Sequence, residues 1–121
     1  MNKVYRIRSD YQTQYPYPIT MRAGDQIEVS DKQDLWDNRP EWVWVWCTNR
    51  QGKSGWVPKE YIAQHGDMGI ALRDYAATEL SVQAGEEVTV EQEESGWAWC
   101  TNRQGQSGWV PLTHIQPRGE L

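Results

Sequence analysis

Large aromatic and smaller apolar residues alternate along two short stretches of the chain. Residues 42–47 read WVWVWC, and residues 97–100 read WAWC. A period of two is the period of a β-strand, whose successive side chains point to opposite faces, and it does not fit a helix. In each predicted strand the Trp side chains therefore share one face, and Cys47 or Cys100 lies on the other.

The residues around these strands predict further β-structure. Arg-Gln-Gly follows at residues 50–52 and again at 103–105, and its glycine supplies the positive φ of a tight hairpin turn. Residues 54–57, SGWV, predict a strand that ends at a proline, which cannot donate to a ladder. Earlier strands are predicted at residues 27–29 and 88–90, each after an Ala-Gly-acid turn. Because no segment predicts a helix of normal length, the predicted fold class is all-β.

The predicted elements occur twice because the sequence is duplicated. Residues 47–58 read CTNRQGKSGWVP, and residues 100–111 repeat them 53 positions later with one change, Gln106 for Lys53. A period of this length is that of a small domain and exceeds one propeller blade or solenoid turn. The 121 residues therefore divide into halves of roughly 60, near the lower size limit of an independent hydrophobic core.

Composition and charge narrow the classes of function. Eight Trp and six Tyr compensate for the small size, because large aromatic side chains bury much area per residue. Residues 1–63 hold nine Lys or Arg against eight Asp or Glu, and residues 64–121 hold three against nine. Nucleic acid is not an expected partner, since phosphate binding needs a basic face. With no membrane-length apolar run and no apolar signal core in residues 1–11, we expect no membrane association and a cytoplasmic location.

Residues that carry catalytic or metal chemistry are scarce. Cys47 and Cys100 occupy the same repeat position, and we expect each to be buried in its own domain core, without a disulfide between them. His65 and His114 have no paired carboxylate, nucleophile or metal-ligand spacing. We therefore expect no catalytic residue, no metal site, no cofactor and no enzyme activity.

Several short motifs, in the same order in both halves, resemble those of SH3 domains. The second half contains ALRDYAATELSVQAGEEVTV, GWAWC and SGWVPLTHI, and the first half matches more loosely through RSDY, ITMRAGD, VWVWC and SGWVPKEYI. The SH3 pattern is an ALYDY start, an ELSF segment, a glycine with an acid, a strand with two tryptophans, and a glycine-aromatic-hydrophobic-proline finish. The resemblance implies two small five-stranded SH3-like barrels in tandem, at residues 1–63 and 70–121, with a linker at residues 64–69.

The SH3 resemblance also implies an aromatic groove that binds an extended, often proline-rich peptide. A polyproline helix suits such a groove because it costs little entropy to bind and its prolines slot between flat rings. The groove Trp of the family falls on Trp44 and Trp97, and the second Tyr of ALYDY falls on Tyr11 and Tyr75. The other implied groove residues are Trp56, Pro58 and Tyr61 in the first domain and Glu79, Trp109, Pro111 and His114 in the second. The alternative role of these aromatics is barrel packing.

Both halves depart from the SH3 pattern at the groove. The first Tyr of ALYDY is replaced by Ser9 in one half and by Arg73 in the other, so one wall of the usual proline pocket is missing or charged. His114 stands where the first half keeps the last groove Tyr, and Pro18 stands where the second half keeps Glu79. Each half thus keeps a different part of the site.

The RT-type loops of the two halves differ in length. Seven residues separate Tyr11 from Ile19, whereas only four separate the equivalent positions of the second half. In the longer loop, Tyr15 and Tyr17 either replace the missing groove aromatics or cover the barrel.

The first half also carries a long n-Src-type insertion. Fourteen residues separate Val29 from Trp44, against six in the second half, and the added stretch includes Trp36. The insertion either reshapes the site or contacts the neighbouring domain. Trp42 and Trp46 flank Trp44 on the same strand face, and an exposed stripe of this size needs a cover, which is the insertion, the second barrel or a ligand.

Three functions remain open at this level. The first is a non-catalytic adaptor that binds an extended, proline-rich or basic peptide; Glu91, Glu93 and Glu94 then either attract the basic ligand or form a solvated loop. The second is glycan or cell-wall binding, as implied by bacterial SH3-like domains, because Trp rings also stack on sugars. The third is structural, with the grooves filled within the chain or across a homodimer.

Overall fold

The structure is a computed structural model that describes residues 3–13 and 18–117. Within these residues the chain forms β-strands and short 3-10 helices of three residues each, with no longer helix. The two largest sheets have five strands each. The predicted all-β fold class with two five-stranded units is therefore confirmed.

The strands are β1 (Lys3–Ile7), β2 (Thr20–Met21), β3 (Gln26–Leu35), β4 (Val43–Thr48), β5 (Ser54–Pro58), β6 (Ile62–His65), β7 (Met68–Ala71), β8 (Tyr75–Ala76), β9 (Glu87–Glu94), β10 (Trp97–Thr101), β11 (Ser107–Pro111) and β12 (Ile115–Pro117). The 3-10 helices are Trp36–Asn38, Lys59–Tyr61 and Leu112–His114. The strands predicted from the alternating stretches correspond to β4 and β10, and those predicted at residues 27–29 and 88–90 are longer in the structure, as β3 and β9.

The chain divides into two compact units that do not follow the sequence duplication. The central unit is Tyr15–Ala77, and the terminal unit combines Met1–Gln14 with Thr78–Leu121. The large sheet of the central unit has the order β5-β4-β3-β7-β6, and that of the terminal unit has the order β11-β10-β9-β1-β12. The domains expected at residues 1–63 and 70–121 have therefore exchanged their first strands, β1 and β7.

The hairpin between β6 and β7 gives a physical reason for this exchange. Ile62 pairs with Ala71 and His65 with Met68, so the turn between the two strands contains only residues 66 and 67. Two residues are enough for a tight turn between antiparallel neighbours. So short a connection does not let β7 join a different sheet from β6. Residues 64–69, expected to be a linker, thus lie in a hairpin. Strand β1 then pairs with β9 and β12 of the second half.

Each unit has a core to which both halves contribute. In the terminal unit, Ile7 of the first half packs with residues of the second half, namely Leu80, Val82, Val88, Ala98, Cys100, Val110 and Ile115. In the central unit, Ala71 and Tyr75 of the second half are buried, as are Ile19, Met21, Ile27, Val29, Val45, Cys47, Val57 and Ile62 of the first. Neither half therefore completes a core by itself.

The two cysteines are free and fully buried, one in each unit. Burial raises the pKa of the Cys47 thiol to about 12. Burial, with a smaller contribution from the Glu91 carboxylate, raises the pKa of the Cys100 thiol to about 12. Both behave as small apolar side chains, as the repeat position predicts.

The long insertion of the first half is mainly an extension of the β3–β4 hairpin. Strand β3 continues to Leu35, which pairs with Val43, and the β3–β4 register shifts between Val29 and Gln33. The Trp36 N–H donates to the carbonyl of residue 42 at 2.9 Å and closes the tip. Most of the predicted loop is therefore strand.

Between residues 77 and 78, within the segment predicted as the RT-type loop of the second half, the chain passes from the central to the terminal unit. In the terminal unit Tyr11 forms a bridge with Val82. In the central unit β2 pairs with β8, which belongs to the second half.

Candidate functional site

In the terminal unit, predicted groove residues converge on Tyr11. The Tyr11 ring lies edge-on to Trp97, at 5.7 Å between ring centroids, and to His114, at 5.4 Å. The Tyr11 hydroxyl donates to Glu79 Oε1 at 2.6 Å. All four side chains are half-buried. They form an aromatic surface with a carboxylate at its edge.

Backbone pairing fixes the positions of these side chains. The Tyr11 N–H donates to the Val82 carbonyl at 2.9 Å, and the Val82 N–H donates back at 2.8 Å. Trp97 begins β10 and pairs with Pro111, which is fully buried at the end of β11. His114 ends the 3-10 helix after β11. The surface is therefore built on strands and their immediate ends.

Ser9 stands at the position of the first ALYDY tyrosine and contacts His114. The Ser9 Oγ lies 3.0 Å from His114 Nδ1, and the Ser9 carbonyl oxygen lies 3.3 Å from the same nitrogen. The Arg8 N–H donates to the His114 carbonyl at 2.8 Å. Ser9 and His114 thus stand where the SH3 pattern has two tyrosines, and their side chains contact each other.

The equivalent surface of the central unit is more closed. Tyr61 and Tyr75 lie edge to face at 5.4 Å between centroids and are only 4% and 8% exposed. The Tyr75 hydroxyl donates to the Trp56 carbonyl at 2.9 Å. The guanidinium of Arg73, at the position of the first ALYDY tyrosine, lies 4.4 Å from the Tyr61 ring centroid. A cation of the chain itself thus occupies this surface.

Trp44, the groove Trp predicted for the first half, lies on β4 of the same unit. It pairs with Pro58, which is fully buried, and is itself only 6% exposed, whereas Trp97 is half-buried. Tyr15 and Tyr17, which the sequence offers as replacement aromatics, lie outside the described residues.

The structure groups the predicted groove residues differently from the sequence pattern. The pattern places Tyr11 with Trp44, but in the structure Tyr11 lies with Trp97. The pattern places Tyr75 with Trp97, but Tyr75 lies with Tyr61. The reason is the exchange of first strands. Tyr11 follows β1 and Tyr75 follows β7, so each tyrosine lies in the unit that the preceding strand joins. Trp44, Trp56, Pro58 and Tyr61 lie in the central unit, and Glu79, Trp97, Trp109, Pro111 and His114 lie in the terminal unit.

Two other kinds of site, a metal cluster and a membrane-spanning helix, are absent from the described residues. No three His, Cys, Asp or Glu side chains among residues 3–13 and 18–117 gather closely enough to hold a metal ion. A helix with the length and apolarity needed to cross a bilayer does not occur in that part of the chain.

A family model matches the chain twice, at residues 4–64 and 68–118, which is nearly its whole length, and this model is that of the variant SH3 domain. The chain belongs to the variant SH3 domain family. The two matches follow the duplicated sequence, so each SH3 match contributes to both compact units. SH3-type domains are generally non-catalytic modules of protein interaction, and this is the general function that the family assigns.

A second aromatic feature recurs in both SH3 units. Trp46 and Trp56 pair across β4 and β5 with ring centroids 5.3 Å apart, and Trp99 and Trp109 pair across β10 and β11 at 5.4 Å. The sequence pattern places Trp56 and Trp109 in the grooves but does not connect them with Trp46 and Trp99. The hairpin register would have predicted these Trp pairs from the sequence, because the turn at residues 50–52 fixes which residues face each other.

Two cations of the insertion cover the Trp stripe of the central SH3 unit. The Lys32 Nζ lies 5.1 Å from the Trp46 ring centroid and 5.7 Å from that of Trp56. The Arg39 guanidinium lies 4.6 Å from the Trp42 ring centroid. The sequence leaves open whether the insertion, the second barrel or a ligand covers the Trp stripe. For Trp42 and Trp46, side chains of the insertion are the cover.

Proposed function

We propose that the terminal unit binds an extended, proline-rich peptide with a basic residue, and that the central unit serves mainly as a scaffold. The observation that carries this proposal is the half-buried cluster in which Tyr11 meets Trp97 and His114, with the Glu79 carboxylate at its edge. The site is composite, because Tyr11 comes from the first half and the other three residues from the second.

The physical properties of the cluster suit a preformed peptide. Tyr11 is fixed by two backbone hydrogen bonds and one side-chain hydrogen bond, so little side-chain entropy is lost on binding. Tyr and Trp offer flat apolar faces together with a polar group at one end. A polyproline helix keeps its backbone solvated and presents ridged prolines to such faces.

Charge supports a basic partner. Glu79 lies at the groove edge, and the residues of the terminal unit, 1–14 and 78–121, hold five Lys or Arg against eight Asp or Glu. Attraction between an acidic surface and a basic peptide raises the association rate and the selectivity more than it raises the affinity.

The central unit supports the structural alternative for its own surface. Trp44 is 6% exposed and Arg73 lies against Tyr61, so the rings that would face a peptide are already covered. We therefore assign ligand binding to one unit of the two. The free, buried thiols of Cys47 and Cys100 support the cytoplasm as the compartment, since disulfides are rare there.

A titration of the full chain followed through the Trp indole N–H signals tests the proposal. The probes are a proline-rich peptide with a terminal Arg, the same peptide with Gln in its place, and a cell-wall oligosaccharide for the glycan alternative. We expect the Arg peptide to shift the Trp97 signal and to leave the Trp44 signal in place.

A matched pair of variants sharpens this test. Trp97→Leu removes a central anchor, and the loss of such an anchor costs about 2 kcal/mol or more, roughly thirtyfold in Kd. Trp42→Leu, also at a half-buried Trp but in the central unit, should leave the Kd unchanged. Equal losses in both variants, or no Trp97 shift with either peptide, would contradict the proposal.

A further inference from the structure

The central unit supplies its own cation to an aromatic pair that recurs in the terminal unit. Lys32 lies over Trp46 and Trp56. The counterparts of these rings, 53 positions later, are Trp99 and Trp109, with almost the same separation and the same edge-on geometry. The chain thus shows, in one unit, what this arrangement of rings can bind.

Strand register identifies the residue of the terminal unit that corresponds to Lys32. The residue after Lys32 pairs with Val45. The residue after Gln92 pairs with Ala98, which is the counterpart of Val45. Gln92 therefore occupies the position of Lys32, and the terminal unit has an uncharged side chain where the central unit has a cation.

Trp99 presents a half-buried ring on a rigid support. Its partner Trp109 is only 5% exposed. The Trp109 N–H donates to the Thr78 carbonyl at 2.9 Å, and the Leu80 N–H donates to the Trp109 carbonyl at 3.1 Å. Within the described part of the chain, no Lys or Arg lies over Trp99.

The charge beside Trp99 favours a cation. Strand β9, which pairs with β10, carries acidic residues and no Lys or Arg, and its exposed or half-buried members include Glu91, Glu93 and Glu94. Glu94 pairs with Trp97 and therefore lies on the sheet face of Trp99, whereas Glu93 pairs with Ala98 and Glu91 lies at the register shift, so these two add only to the acidic charge of the strand. A carboxylate on the same face adds to the attraction that the ring quadrupole exerts on a cation.

We infer that the Trp99 face is a second contact site for the partner and takes a Lys or Arg side chain that flanks the segment bound in the groove. Trp97 and Trp99 are two residues apart on one face of β10, or about 6.6 Å, so one extended peptide reaches both. The inference rests on the proposed function for the bound segment, and it adds the chemistry of the flank.

Two kinds of peptide test this inference, and both share one proline-rich core that contains Arg. One carries a Lys-Lys flank and the other a Gln-Gln flank, and each is made with the flank at the N-terminus and with the flank at the C-terminus. The unmodified chain should bind the Lys-Lys peptide about two- to thirtyfold more tightly, the range of a cation over a Trp ring. The Trp99 indole signal should shift with that peptide and not with the Gln-Gln peptide.

Variants of the full chain distinguish a site from general charge attraction. Gln92→Lys places a cation where the central unit has Lys32 and should remove the flank preference, as should Trp99→Leu. Gln106→Lys adds the same charge between β10 and β11, where the first half has Lys53, and should keep the preference. In each variant the affinity for the Gln-Gln peptide should remain that of the unmodified chain.

The outcomes separate the two proposals. If the Trp97 signal shifts with both peptides and neither flank is preferred, the second site is refuted and the groove stands. A preference that survives both Gln92→Lys and Trp99→Leu, or falls equally in Gln106→Lys, also refutes the second site. If no peptide shifts the Trp97 signal, the proposed function itself fails.

Discussion

Ile7→Ala should destabilise the terminal unit, although Ile7 lies in the first half of the sequence. Ile7 is 1% exposed and packs with residues of the second half. The substitution removes three carbon atoms, which costs roughly 2.5 kcal/mol in transfer free energy at about 0.8 kcal/mol each. The cavity left behind raises the total to about 3–4 kcal/mol, within the range observed for Ile→Ala in cores. Urea unfolding measures this loss, and the Trp indole signals show where it occurs.

The matched control is Ile27→Ala, which also changes a 1% exposed Ile of the first half. Ile27 belongs to the central unit, so its loss should broaden or shift the signals of Trp44 and Trp46. Ile7→Ala should instead affect Trp97 and Trp99. If both variants perturb the same set of Trp signals, the two residues share one core and the strand exchange is refuted.

Three further predictions concern packing, titration and charge. Gly108→Ala should cost about 1–3 kcal/mol in the free energy of unfolding, because a Cβ there would lie 2.7 Å from two backbone atoms of residues 79 and 80; Gly55→Ala should cost less, because its nearest neighbour, at 2.9 Å, is a side-chain methyl group that can move. The Cys47 and Cys100 thiols have pKa values of about 12 in the fold against 9.0 unperturbed, so their contribution to the free energy of unfolding should be fully present below pH 9 and be lost between pH 9 and 12 as the unfolded thiols ionise; an equally steep fall over that range in a variant with Ala at both positions would contradict this. Glu79→Gln should weaken binding of the Arg peptide by up to roughly fivefold, less in high salt, by calorimetry; a loss that does not depend on salt would argue against a charge effect.

Local features of the fold follow from the sequence, whereas the exchange of strands does not. The alternation at residues 42–47 and the glycine at position 52, whose φ is 80°, predict β4 and its hairpin turn because both act within a few residues. Ile7 of β1 and Ala71 of β7 are both buried in a core. The sequence around each strand does not indicate which of the two sheets the strand joins. The deciding feature is the turn at residues 66–67, which reads as part of a linker until its pairing is known.

The candidate site shows the same limit. The resemblance to SH3 domains names Tyr11 and Trp97, whose rings are neighbours in the structure, but it assigns them to the grooves of different halves. Lys32, whose Nζ lies over the Trp46 ring, belongs to the stretch between Val29 and Gln33 in which the β3–β4 register shifts. A shift of register between two strands leaves no periodic signal in the sequence, because it is set by the pairing of both.

The composite groove is tested most directly by nuclear Overhauser effects from the Tyr11 ring in the full chain. The structure predicts cross-peaks from Tyr11 to the Trp97 and His114 rings, whose centroids lie 5.7 and 5.4 Å away. Cross-peaks from Tyr11 to Trp44 or Tyr61 in their place would show that each half of the sequence closes its own barrel, and would contradict both the exchange and the site built on it.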